Sequence, residues 1–89
     1  MPMCPRCGVV CRVPELTSDE RAEVAKVHRV HGPLHAAKRL RGAGASLKDA
    51  KAVSLHLTLR PTQCHRCNNT LVGDVEVVCV RCRSLNFDW

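Results

Sequence analysis

Aromatic side chains are nearly missing from this chain. Phe87 and Trp89 are the only two among 89 residues, and there is no tyrosine. That leaves little for a core built on stacked rings, and little of the stacking surface that single-stranded nucleic-acid binders use. Acidic residues are scarce as well, 8 against 14 Lys and Arg, for a formal net charge of +6. No apolar run approaches the roughly 20 residues that a membrane span needs. The opening "MPMCPRCG" carries no apolar segment of the signal-peptide kind. The expectation is a reduced, cytoplasmic chain with no membrane partner. Catalytic signatures are missing too. No Ser-His-Asp constellation suggests itself, there is no phosphate loop, and the "GAG" of residues 42–44 lacks the strand–turn–helix context of a dinucleotide site. An enzyme is not expected.

Cysteine is what the chain has in excess, seven in all. A chain this short buries a modest core and often needs a disulfide, a metal or a partner to stabilise it. An odd count suits a disulfide framework poorly, so metal binding is the better expectation. "CHRCNNTLVGDVEVVCVRC" spaces two pairs, Cys64-x2-Cys67 and Cys79-x2-Cys82, with eleven residues between them. Four thiolates at about 2.3 Å in a tetrahedron suit zinc, and such a site is closed. The intervening residues read as a hairpin: Leu71 and Val72, a Gly73-Asp74 turn, then Val75 and Val77. Asn68 stands where a left-handed residue helps aim amides at sulfur. "CPRCGVVC" is a second knuckle, Cys4 and Cys7 followed by Gly8, with Cys11 as the nearest third ligand. A fourth ligand is open among His28, His31, His35, His56 and His65; the alternative is that Cys11 is a buried apolar filler and the knuckle pairs with nothing, or with a second chain. One zinc is expected and a second is a candidate.

Between the cysteine segments lies a basic stretch. Residues 24–60 hold eight Lys and Arg (Lys26, Arg29, Lys38, Arg39, Arg41, Lys48, Lys51, Arg60) against one acid, Asp49. A solvated helical face and a docking surface for an acidic partner or nucleic acid are equally consistent with this excess. "LTSDERAEVAKVHRV" reads as a helix. Thr17 with Glu20 has capping-box spacing, and Asp19, Glu20 and Glu23 gather toward its positive end. "HGP" stops it, and Pro33 can open the next helix, which runs to about residue 42 with Leu34, Ala37 and Leu40 on one apolar face. Gly42 or Gly44 supplies the turn, and Ser46 caps a third helix with Ala50 and Val53 inward and Lys48 and Lys51 outward. That helix should end near 54–57. Beyond it Leu55, Leu57 and Leu59 alternate as in a strand. The fold class expected is a small α+β zinc-binding protein in three segments: an N-terminal knuckle at 1–14, three helices at 15–60 and a zinc-ribbon β-hairpin at 61–89.

The stretch "LHAAKRLRGAGASLKDAKAV" resembles the helix-turn-helix core of the C-terminal domain of the bacterial ribosomal stalk protein. The shared residues are Lys38, Arg41, Gly42, Ala43 and Gly44, then Leu47, Lys48, Asp49, Ala50 and Lys51. The likeness covers about a quarter of the chain, with a turn one residue shorter. It implies that a face of Leu34, Lys38, Arg41, Lys48 and Lys51 docks on a protein of the translation machinery. The flanks depart from that family, which packs its hairpin on a three-stranded sheet. A weaker likeness links "CHRCNNTLVGDVEVVCVRCRSLN" to the Com zinc finger of Mu-like prophages, through the cysteine pairs, Leu71, Arg81, Leu85 and Asn86. It implies messenger-RNA binding, and Arg66, Arg81 and Arg83 on the knuckles are candidate phosphate contacts. Two functions follow as expectations: a zinc-binding adaptor that presents the basic hairpin to a protein of translation or transcription, or a zinc-ribbon regulator that binds RNA or DNA. For Phe87 and Trp89, folding back over the helices is preferred to stacking on bases.

Overall fold

A computed structural model describes residues 2–73 and 75–89. Three helices come first: α1 Ser18–His31, α2 Pro33–Gly42 and α3 Leu47–Ser54. Two short strands follow, β1 Glu76–Val78 and β2 Leu85–Phe87, paired antiparallel.

The helix ends lie where the local chemistry puts them. Thr17 Oγ1 accepts from the Glu20 amide at 3.2 Å, and Glu20 Oε1 accepts from the Thr17 amide at 3.0 Å. This reciprocal cap satisfies two of the orphan donors of α1. Gly32, at φ +92°, ends the helix, and Pro33 opens α2, where its missing N–H leaves nothing unsatisfied. Gly44 takes the left-handed role at φ +105°, while Gly42 stays helical. Ser46 Oγ accepts from the Asp49 amide at 3.1 Å and starts α3.

One apolar core draws on all three sequence segments. Cys4 and Cys11 come from the first, Val24, Leu40, Val53 and Leu57 from the second, Leu85 and Phe87 from the third. Phe87 is the largest fully buried side chain. Its ring lies 5.4 Å from that of Trp89, and Arg21 places its guanidinium 5.9 Å from the Trp89 centroid. Both aromatics therefore fold inward. A second, smaller cluster gathers Cys64, Leu71 and Cys79, with Cys67, Val77 and Cys82 packed against it.

Three details differ from the sequence reading. The buried residues of α2 are Ala36, Ala37 and Leu40, and Leu34 is 65% exposed. Because α2 packs between α1 and α3, its buried stripe is centred near residue 40, about 120° around the helix from Leu34. Leu55 and Leu59 are exposed, and the buried run is His56, Leu57 and Thr58. Only Leu57 joins a strand, through one parallel bridge to Phe87, so no alternating ladder forms. Finally, β1 does not pair with residues 71–72. It pairs with β2, across the second cysteine pair of the ribbon, in the register Glu76↔Phe87, Val77↔Asn86 and Val78↔Leu85. The Leu71 amide instead donates to the Thr62 carbonyl at 2.8 Å. Of the expected turn at 73–74, Asp74 lies outside the described residues.

Candidate metal centres

The cysteine pairs sit in three loops of one geometry. In each, the amide of the first cysteine donates to the carbonyl five residues on: Cys4 to Val9 at 3.0 Å, Cys64 to Asn69 at 2.9 Å, Cys79 to Ser84 at 2.9 Å. The residue after the second cysteine donates back to the carbonyl of the first: Gly8 at 2.8 Å, Asn68 at 3.1 Å, Arg83 at 2.8 Å. That residue is left-handed each time, with φ +73°, +63° and +65°. Flanking residues then pair as Met3↔Val10, Gln63↔Thr70 and Val78↔Leu85. The third loop thereby returns the chain beside β1, which explains the observed ladder. Asn68 is left-handed as the sequence suggests. Arg83, which pays the side-chain cost of that conformation, is a third instance the sequence reading missed. The signal was legible, since each pair reads Cys-x-Arg-Cys, with Arg6, Arg66 and Arg81 in the same place. All three arginines and Arg83 are exposed.

The ligand atoms of Cys64, Cys67, Cys79 and Cys82 all lie within 4.8 Å of one another. Cys64 Sγ is 3.6 Å from Cys82 Sγ, and Cys67 Sγ is 3.6 Å from Cys79 Sγ. A tetrahedron of sulfurs about 2.3 Å from a central ion has edges of about 3.8 Å, so the cluster is already close to a metal cage. Donors prepare the sulfurs for charge. The Cys82 amide, acting with that of Arg81 against burial, brings the Cys79 thiol down to about 6. Burial pushes Cys64 up, but amides of Cys67 and Arg66 and the Asn86 side chain outweigh it and lower it. Burial and the neighbouring sulfurs push Cys82 up to about 12. Four thiolates this close repel one another, and a cation at the centre removes that repulsion.

A second group brings together Cys4, Cys7 and His56. Of the five histidines left open by the sequence, His56 is the one placed there. Its ring is held by a 2.7 Å bond from Nδ1 to the Ala52 carbonyl, which makes Nδ1 the donor and leaves Nε2 with a free lone pair. That Nε2 faces Cys7 Sγ at 3.5 Å. A ligating histidine is commonly fixed by such a bond from its other nitrogen. Burial raises the Cys4 thiol, but the Leu85, Cys7 and Arg6 amides reverse this and bring it down to about 6.

Cys11 is fully buried beside this group, but its sulfur is not one of the mutually close ligand atoms. Cys11 Sγ lies 3.6 Å from His56 Nδ1, the nitrogen turned away from the cluster, and 3.8 Å from the Ala52 carbonyl. Burial, with the Cys7 and Cys4 charges, pushes its thiol up to about 11. The other histidines are not among these ligand atoms, although the His65 ring stands edge-on to that of His56, 5.3 Å between centroids. The rings of His31 and His35 are 5.3 Å apart on the surface. Among the described residues His28 is buried with Nδ1 unpartnered. His65 Nε2 pairs with Ser84 Oγ at 2.8 Å.

The residues of the expected docking face divide between two places. Leu34, Lys38, Arg41 and Lys51 line a groove of about 360 Å³ between α2 and α3, together with Leu47 and Leu55. Lys48 faces a different cleft, with Val9, Arg12 and Asp49. No protein-family model matches this chain, nor does any curated protein or solved structure. Among the described residues no helix is long and apolar enough to cross a membrane.

Proposed function

We propose that this chain is a non-enzymatic adaptor, held by zinc, that docks an acidic amphipathic helix of a protein partner in the groove between α2 and α3. The observation that carries the reading is the composition of that groove. Leu34, Leu47 and Leu55 are 65%, 47% and 63% exposed, and Lys38, Arg41 and Lys51 stand around them with no carboxylate in the lining. Exposed leucines gathered in one concavity mark a binding surface, and a one-sided ring of cations selects acidic groups. A helix that lays an apolar stripe between flanking acids is complementary to both features. The likeness of this hairpin to the ribosomal stalk protein favours a partner in translation.

Zinc is the metal that the donor sets favour. Four thiolates in a tetrahedral cluster suit zinc or iron, and a site without an open position is structural. In the second group, Cys4, Cys7 and His56 would be the protein ligands. Among the described residues no carboxylate belongs to this group to act as a base, which supports a structural role here as well.

A nucleic-acid partner is the second reading. It draws support from Arg6, Arg66, Arg81 and Arg83, all exposed on the cysteine loops. Against it, Phe87 is wholly buried and Trp89 packs on the core, so neither is free to stack on a base. The test is affinity purification with the wild-type chain and with Lys38→Glu/Lys51→Glu, each with and without nuclease. The adaptor reading expects proteins that survive nuclease and are lost with the charge reversal, at unchanged zinc content and melting temperature. Recovery of nucleic acid by both chains, with proteins lost on nuclease treatment, would transfer the function to the arginines of the cysteine loops.

A further inference from the structure

Three consecutive residues of β2 reach both cysteine groups. The Leu85 amide donates to Cys4 Sγ at 3.3 Å. Asn86 Nδ2 donates to Cys64 Sγ at 3.5 Å. The Phe87 amide donates at 2.8 Å to the carbonyl of His56, whose ring faces Cys7. The amides of Leu85 and Phe87, alternate residues of the strand, lie on the same edge and donate to the side of the N-terminal group, while the side chain of Asn86 between them projects to the ribbon cluster. The strand is buried throughout, and Asn86 is wholly inaccessible to solvent.

Asn86 is held firmly. Its Oδ1 accepts from the His65 amide at 2.8 Å, and Nδ2 also donates to the Ser84 carbonyl at 3.0 Å. Ser84 Oγ lies 3.9 Å from Cys4 Sγ and 2.8 Å from His65 Nε2. A further bond runs between the loops from outside, from the Arg6 guanidinium to the Cys82 carbonyl at 3.1 Å. Each cluster thus takes hydrogen bonds from a segment that the other also fixes. Ordering that segment costs conformational entropy, and whichever ion binds first bears the cost.

We infer that the two metal centres load cooperatively, with β2 as the shared element and Asn86 as the positioning residue that links them. The inference rests on the reading that both groups bind zinc. Zinc at Cys64, Cys67, Cys79 and Cys82 fixes Asn86 and with it the Leu85 amide, so the second group meets its ion already arranged. Coupling is reciprocal, so zinc at the second group tightens the first by the same factor. A factor of about 5–150 is the ordinary range for such coupling.

The experiment uses the full chain, with competitive titration of zinc against a chelator. Total zinc in the wild type is measured first, and two ions per chain are required. Fewer than two refutes the reading beneath the inference, and the inference with it. Cys4→Ser then empties the N-terminal group, and the affinity of the four-cysteine group should fall about tenfold. Cys64→Ser gives the same factor from the other side, so one well-behaved variant is enough. Asn86→Ala keeps every ligand and supplies the control for general damage. In that background Cys4→Ser should weaken the four-cysteine group much less than it does in the wild type. An unchanged affinity in Cys4→Ser overturns the coupling, and an equal loss with and without Asn86 overturns the role of β2.

Discussion

The two cysteine groups solve one problem at different ranges. The C-terminal group is local. Its outermost paired sulfurs are 18 residues apart in sequence, and its sulfurs pack in a small cluster of their own. The N-terminal group joins Cys7 to His56 across 49 residues and sits against the main core, which includes Cys4. Closing a longer loop costs more entropy, though the cost rises only slowly with length. The local group can therefore form from its own two loops. The distant one needs the helices in place, because His56 lies just beyond α3 and its ring is fixed by the Ala52 carbonyl. The ribbon is thus a clip closed by its own two loops, and the other group is a tie between segments that the helices have already brought together.

Metal removal tests this contrast most severely. Zinc bound at a structural site contributes on the order of 10–16 kcal/mol, as much as the whole stability of an ordinary domain. A strong chelator should abolish the near-ultraviolet signal of Trp89 and much of the helical circular dichroism. Helices that persist unchanged after complete zinc removal would show that the alanine-rich core is sufficient without the tie.

Cys11→Ala probes the missing fourth position of the N-terminal group at a smaller scale. The expected result is an unchanged zinc count and a loss of about 1–2 kcal/mol in chemical denaturation, from the emptied volume alone. A count lower by one would make Cys11 a ligand, and both groups would then be fully built from protein side chains.

The smallest effect concerns the join between helices and ribbon. Burial holds both His28 and His65 below the ordinary value of 6.5. The unfolded chain therefore takes up protons more readily than the folded one as pH drops. Their contribution is complete above about pH 6.5 and is lost as pH falls from there through the folded values. Between about pH 7 and about pH 5.5 the melting temperature of His28→Gln should fall less than that of the wild type. Parallel slopes would mean that His28 gains a proton without disturbing the packing.

How much of this was legible in the sequence depends on range. Thr17 with Glu20, Pro33, Ser46 and the Cys64 to Cys82 spacing are signals contained in a few residues, and each appears where the sequence places it. Leu34 was misplaced because the apolar stripe of α2 is set by two neighbours, which its own periodicity does not encode. His56 was only one of five open histidines. It lies in a run of alternating leucines that looks like a strand, and only the approach of the first loop to the end of α3 distinguishes it. The pairing of β1 with β2 was missed for a different reason. The loop geometry that dictates it recurs three times, but its third copy carries Arg83 where glycine or asparagine would have advertised the turn.

The nested pairing of sulfurs in the ribbon has a chemical consequence for the metal-free chain. Cys64 faces Cys82 and Cys67 faces Cys79, each pair 3.6 Å apart. A disulfide needs about 2.05 Å, so a modest closure of the metal-free loops would let an oxidant join them. The products would be nested bridges between loops, and peptide mapping of oxidised, metal-free chain would find Cys64 with Cys82 and Cys67 with Cys79. In this respect a metal ion held there, as proposed, would act as a protecting group, because thiolates bound to it are withheld from oxidation.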